Sequence, residues 1–366
     1  MTNKSTQFVR PMRAFVGHGT KAEKGFRARM SMPEPEAIAP GIPPTPAHDL
    51  KFHGGHTISG LVFMNFYVGG SAAWKASDIQ NIDQALSSAM SDADLNNVMS
   101  QYFSSGTITT TMQPSQVLAG PPPKVVSQGD IENLVLQLFE VGTLNGFGYT
   151  STVFNFMLPS GTILNTNTAP TNGAIATQLE KPMPVKNGVP VEEEEDSTQG
   201  LGGYHGSVHA GSGNNPQTIY YAVGVYSENL PHGTTNGIPV FDQPWKNVVA
   251  TFYHELNEAR TDADVEDAIR AGNDPSATKL LGWTSKQGEE CGDFPVFEAN
   301  PLTRVFQEVN LTNGNGKVPV QFQYSDNVHG PEGPRSTPAP FAGQAHHHHT
   351  KAATQAQGAG GKRNRA

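Results

Sequence analysis

The sequence predicts an α/β fold: a single domain with a mixed sheet and a zincin-like metal-binding helix, flanked by disordered arms. Two observations predict it. Short apolar runs rich in β-branched and aromatic residues alternate with longer stretches of helical periodicity along the middle of the chain. Both ends are instead polar, proline-rich and poor in large apolar side chains.

In chain order, residues 1–50 read as a flexible arm, basic at first and then carrying Pro33, Pro35, Pro40, Pro43, Pro44 and Pro46. Residues 57–68 follow His53-Gly54-Gly55 and read as a buried strand. His53 and His56 read as structural, fixing the glycine turn. Residues 77–102 carry Ile79, Ile82, Leu86, Met90, Leu95 and Met99 near 3.6-residue spacing, hence a helix, with a split near Ser91-Asp92 and Asp92 as a cap. Residues 106–111 read as a strand. Gln128 opens a helix that Gly142 closes. Residues 150–158 form a strand ended by Pro159-Ser160-Gly161. Residues 166–200, with the acidic run 192–196, read as a surface excursion. Residues 219–226 are a further buried strand, 248–271 one long helix, and the chain after Leu302 β hairpins. The folded domain is thus expected over 51–325, with 326–366 a disordered tail containing His346 to His349.

Composition excludes some partners. The chain has 366 residues and a formal net charge of −9, with basic residues gathered at its ends rather than along a core stripe, which argues against nucleic acid. Its single cysteine, Cys291, rules out an intrachain disulfide. No apolar run is long enough for a membrane span, and no secretory signal is visible, so localisation stays open.

The chemistry gathers in Tyr253-His254-Glu255-Leu256-Asn257-Glu258. On a helix, residues i and i+4 share a face about 6 Å apart. His254 and Glu258 can therefore hold one metal ion, and imidazole nitrogen and carboxylate oxygen are both zinc ligands. Glu255 stands at the general-base position of H-E-x-x-H zinc hydrolases, with Glu258 replacing the second histidine. A third ligand is required, and Glu290, Asp293, Asp262 and His205 are the candidates. Tyr253 or His205 would steady an oxyanion; the plainer reading of His205, within Gly202-Gly203-Tyr204-His205-Gly206, is a loop histidine held by backbone groups. The alternative is a core histidine at 254 and a Glu258 paired on the surface with Arg260 or Arg270.

Several segments together resemble the exordium / phosphate-induced protein 1 family: His53-Gly54-Gly55, the strand ending in Leu158-Pro159-Ser160-Gly161, Gly203-Tyr204-His205-Gly206, residues 220–225, residues 248–262, and Gly282-Trp283 followed by Glu290-Cys291-Gly292-Asp293. The likeness covers about residues 50–300. It departs at Tyr253 and Ala263, where that family has Ser and Pro, in a longer segment before Trp283, and in lacking cysteines near Tyr204-His205-Gly206. The resemblance implies a zincin-like site and a largely secreted family. The expected function is a zinc-dependent hydrolase acting on a peptide or protein. The alternative is a non-catalytic extracellular module with a structural ion, manganese and calcium remaining candidates beside zinc.

Overall fold

Six strands build the central sheet: β1 (Ala14–Val16), β2 (Gly60–Tyr67), β3 (Thr109–Val117), β4 (Thr152–Met157), β5 (Leu201–Ala210) and β6 (Gln217–Gly224). Their order is β1-β5-β6-β4-β2-β3. The β6-β4-β2-β3 block is parallel, while β5 pairs antiparallel with both β6 and β1, so the sheet is mixed. This is a computed structural model, and the residues it describes are 13–29, 42–92, 94–171, 196–211, 216–338 and 340–341.

Alternation along each strand decides what covers each face. Met64, Phe66, Phe154, Phe156, Tyr221 and Val223 point to one side, where they meet Ile131, Leu134, Val135 and Leu138 of helix α3 (Gln128–Glu140). Leu61, Phe63, Tyr67, Val153, Met157 and Ala222 point to the other, against α2 (Ala76–Ser91) and α4 (Pro244–Thr261). Parallel strands covered on both faces read as near-continuous apolar runs, and in the middle of β2 and β4 the buried polar pair Asn65 and Asn155 is joined by a 2.9 Å hydrogen bond. A short helix, α1 (Lys21–Arg29), follows β1.

The capping chemistry holds. Ser127 and Asp130 form a reciprocal capping box on α3, which closes before Gly142 at φ 81°. Asp92 ends α2, and its Oδ1 accepts the amides of Asp94 and Leu95, starting the 3-10 segment Asp94–Tyr102.

Four expectations are corrected. The stretch taken as an unstructured arm contains β1, whose three apolar residues are buried against β5; a three-residue strand is too short to show periodicity. The strand expected at 106–111 begins only at Thr109 and runs to Val117. The glycine-rich segment around His205, read as a loop, is the buried strand β5. The long helix expected over 248–271 is two, α4 and α5 (Val265–Ala271), because Asp262 leaves helical geometry (φ −147°) and its Oδ1 accepts the Gly282 amide at 2.6 Å.

Beyond α4, helix α6 (Asp293–Glu298) precedes two hairpins: β7 (Phe306–Asn310) with β8 (Lys317–Gln321), and β9 (Gln323–Ser325) with β10 (Gly330–Glu332). Thus β10 lies within the expected tail, and Phe341 packs edge-on against Trp283. The acidic positions 192–195 and His346 to His349 lie outside the described residues. Among the described residues no helix is long and apolar enough to cross a membrane.

Candidate metal centre

Helix α4 is buried along nearly its whole length, because its apolar side meets the sheet and β8 covers another. That burial takes His254, Glu255 and Glu258 out of water entirely, each at 0 % exposure. Two elements add donors: β5 brings His205, and the loop before α6 brings Glu290. The donors form two groups, His254-Glu255-Glu258 and His205-Glu258-Glu290, and in each the ligand atoms lie within 4.8 Å of one another.

The separations between the bare donor atoms suit a shared ion, while His205 Nδ1 is hydrogen-bonded to Glu255. His254 Nε2 lies 3.1 Å from Glu258 Oε2, and His205 Nε2 lies 3.6 Å from Glu290 Oε1. His205 Nδ1 lies 3.3 Å from Glu255 Oε2. Two tetrahedral zinc ligands with bonds of about 2.1 Å stand roughly 3.4 Å apart, whereas a separation of 3.6 Å is too long for a hydrogen bond.

Gln321 of β8 fixes which nitrogen of His254 is free. Its Nε2 donates to the Gly292 carbonyl at 2.6 Å, so its Oε1 faces His254 Nδ1 at 2.7 Å and accepts the proton there. His254 Nε2 is then a bare lone pair aimed at a carboxylate. Such an orienting partner is the usual companion of a metal-ligating imidazole. His205 Nε2, His254 Nε2, Glu258 Oε2, Glu255 Oε1 and both Glu290 oxygens are buried without a hydrogen-bond partner. Partnerless buried polar atoms cost several kcal/mol each in an apolar setting. Their convergence fits a cation: a proton shared between His254 and Glu258 would still leave Glu290 unserved.

Electrostatics agree. Burial, then the neighbouring acids, pushes Glu255, Glu290 and Asp293 well above the usual carboxylate range; burial alone does so for Glu258. Burial holds His254 down at about 4, and burial with the Arg13 charge holds His205 at about 3. Both imidazoles are therefore neutral near pH 7, as ligands must be.

The remaining candidates sit differently. Asp293 is buried nearby, but its Oδ2 accepts the Glu290 amide at 2.8 Å and it belongs to neither donor group. Asp262 is held by the Gly282 amide. Tyr253 points away, its hydroxyl donating to the Leu95 carbonyl at 3.1 Å. His56 Nε2 reaches the Thr150 carbonyl instead. Glu258 pairs with neither arginine: Arg260 donates to Thr109 and Thr110, and Arg270 bridges Glu132, Glu266 and Asp267. Three further residues build the centre without having signalled themselves. These are Gln321; Phe15, whose ring lies 4.5 Å from that of His254; and Arg13, whose Nη1 donates to the His205 carbonyl. An amide, a phenyl ring and one arginine among many carry no ligand signature in sequence.

Comparison with known proteins finds no matching family model, no matching curated protein and no matching solved structure.

Proposed function

We propose that this chain is a divalent-metal-dependent hydrolase acting on peptides or proteins, with zinc the first candidate ion. The observation that carries the reading is the convergence of partnerless buried donors from β5, α4 and the loop before α6. His254 and Glu258, one helical turn apart, hold the metal from α4, and His205 and Glu290 complete the donor set from outside the helix. A bound cation would neutralise buried carboxylates and polarise a carbonyl as a Lewis acid. Glu255 is the base. Its Oε2 accepts from His205, which fixes the side chain, and its Oε1 has no partner. A carboxylate whose proton affinity is raised by burial and by Glu258 is suited to taking a proton from water near neutral pH. The likeness of the α4 string and the Glu290-Cys291-Gly292-Asp293 loop to the exordium / phosphate-induced protein 1 family supports a zincin-like centre.

Burial of every donor to within 1 % of full favours a second reading, a closed structural ion in a non-catalytic module. Glu255→Gln separates the two. The hydrolase reading expects this variant to keep its zinc, by elemental analysis, while peptide turnover falls about 10²- to 10⁴-fold. A variant as active as the parent, or a zinc-loaded parent that cleaves no member of a peptide library, would leave only the structural ion. His254→Ala should lose metal, measured with His346 to His349 replaced by alanine so that the tract cannot hold ions itself.

A further inference from the structure

We propose that the centre holds two divalent cations bridged by Glu258, one between His254 and Glu258 beside Glu255, the other between His205, Glu258 and Glu290. This rests on reading the site as a metal centre and specifies its stoichiometry.

Three observations carry it. First, the five donors do not form a single group. They form two groups of three that share only Glu258. Two ligands of one zinc ion can be no more than roughly 4.2 Å apart, twice a bond of about 2.1 Å, and the five donors do not all lie within even 4.8 Å of one another, so a single ion cannot take all five. Second, Glu258 is placed to bridge. Its Oε1 accepts the Gly292 amide at 3.1 Å, which fixes the carboxylate, while its partnerless Oε2 sits 3.1 Å from His254 Nε2 and 3.9 Å from His205 Nδ1. That oxygen thus faces the free nitrogen of His254 and the ring of His205, two imidazoles from different elements. Each imidazole is oriented by its own partner: Gln321 accepts from His254 Nδ1, and Glu255 accepts from His205 Nδ1, so both Nε2 atoms are left as ligands. Two-metal hydrolytic centres space their ions about 3.5–4 Å apart. Third, five carboxylates (Glu255, Glu258, Asp262, Glu290 and Asp293) are buried together to within 1 % of full. Arg13, the cation at this end of β5, is already committed to Glu266 and the His205 carbonyl. One divalent ion would offset two of the five charges; two would offset four.

The test is metal stoichiometry. The full chain, with His346 to His349 replaced by alanine, is stripped, dialysed against zinc and subjected to elemental analysis. Two zinc ions per chain are expected, falling to one in His254→Ala and to one in Glu290→Gln. A single zinc in the parent overturns the second ion and leaves the metal centre standing; no zinc overturns both. Because a variant at a buried site can fail to fold, the parent is also titrated with cobalt(II). Two bridged cobalt ions should couple, so the EPR signal per cobalt should fall as the second equivalent binds. A signal that simply doubles overturns the bridge.

Discussion

At the scale of single residues, the metal reading turns on which nitrogen of His254 carries the proton. The chain Gly292 carbonyl, Gln321 amide, His254 Nδ1 settles this without any charged group. Gln321→Leu removes the acceptor and frees the ring to rotate or change tautomer. The expected result is a 10- to 100-fold loss of zinc affinity, the usual cost of removing such a partner, read by competition with a chromogenic chelator. An unchanged affinity would mean that the ring is oriented by packing on Phe15 instead. Gly292 makes a second point. A Cβ there would sit 2.4 Å from His254 Nδ1 and 2.9 Å from Glu258 Oε1, so Gly292→Ala should displace both donors and abolish stoichiometric zinc binding while the distant sheet stays folded by circular dichroism. His254, Glu255 and Glu258 were legible because helical spacing alone puts ionisable groups on one face. Glu290 and His205 were legible only as members of a candidate set, since nothing in a linear sequence tells which loop returns to the helix. Gln321 was illegible because an amide becomes informative only when its two neighbours are known.

At the scale of elements, β5 shows why a pattern can mislead. Gly203 and Gly206 made it look like a loop, yet both glycines serve close approach. A Cβ at Gly203 would lie 2.5 Å from the Val223 carbonyl and 3.2 Å from Glu255 Oε1, and one at Gly206 would lie 2.0 Å from Glu266 Oε2. The strand lacks side chains there so that carboxylates of α4 and α5 can reach it, which erases the alternation that marks a strand. Strands β2, β4 and β6 kept their apolar runs and were readable. On the outer side of β5, β1 closes the centre: Phe15 is 2 % exposed, lies over His254 and packs against Phe306. Removing that ring by Phe15→Ala should cost about 3–5 kcal/mol of stability. It should also raise the population of locally opened states, in which each 1.4 kcal/mol is about tenfold. Zinc release into excess EDTA should therefore accelerate at least about tenfold over the parent. A release rate unchanged by the variant would show that the ion leaves by a route that does not cross β1.

At the scale of the whole molecule, a cluster of acids buried without counter-charge makes stability depend on pH and metal together. In the metal-free chain the folded-state affinities of Glu255, Glu258, Asp262, Glu290 and Asp293 for protons are raised, chiefly by burial. Above the ordinary carboxylate range the folded form then holds more protons than the unfolded one, and stability falls as pH climbs. The histidines run the other way. Held at about 4 and about 3, His254 and His205 bind fewer protons folded than unfolded below their ordinary value near 6.5, so stability is lost as pH drops through that region. A cation takes the deprotonated carboxylates and neutral imidazoles, so its contribution grows with pH and opposes the loss caused by the acids. Free zinc at a hundred times its Kd adds about 2.7 kcal/mol. For a domain of about 275 residues that is about 4–5 °C in melting temperature. We expect the gap between zinc-loaded and EDTA-treated protein to widen steadily from pH 5.5 to pH 8 at fixed total zinc. The treated protein should itself melt lower at pH 8 than at pH 6.5. A gap that stays constant over that range would mean that the buried carboxylates do not release protons when the ion binds, and so do not ligate it.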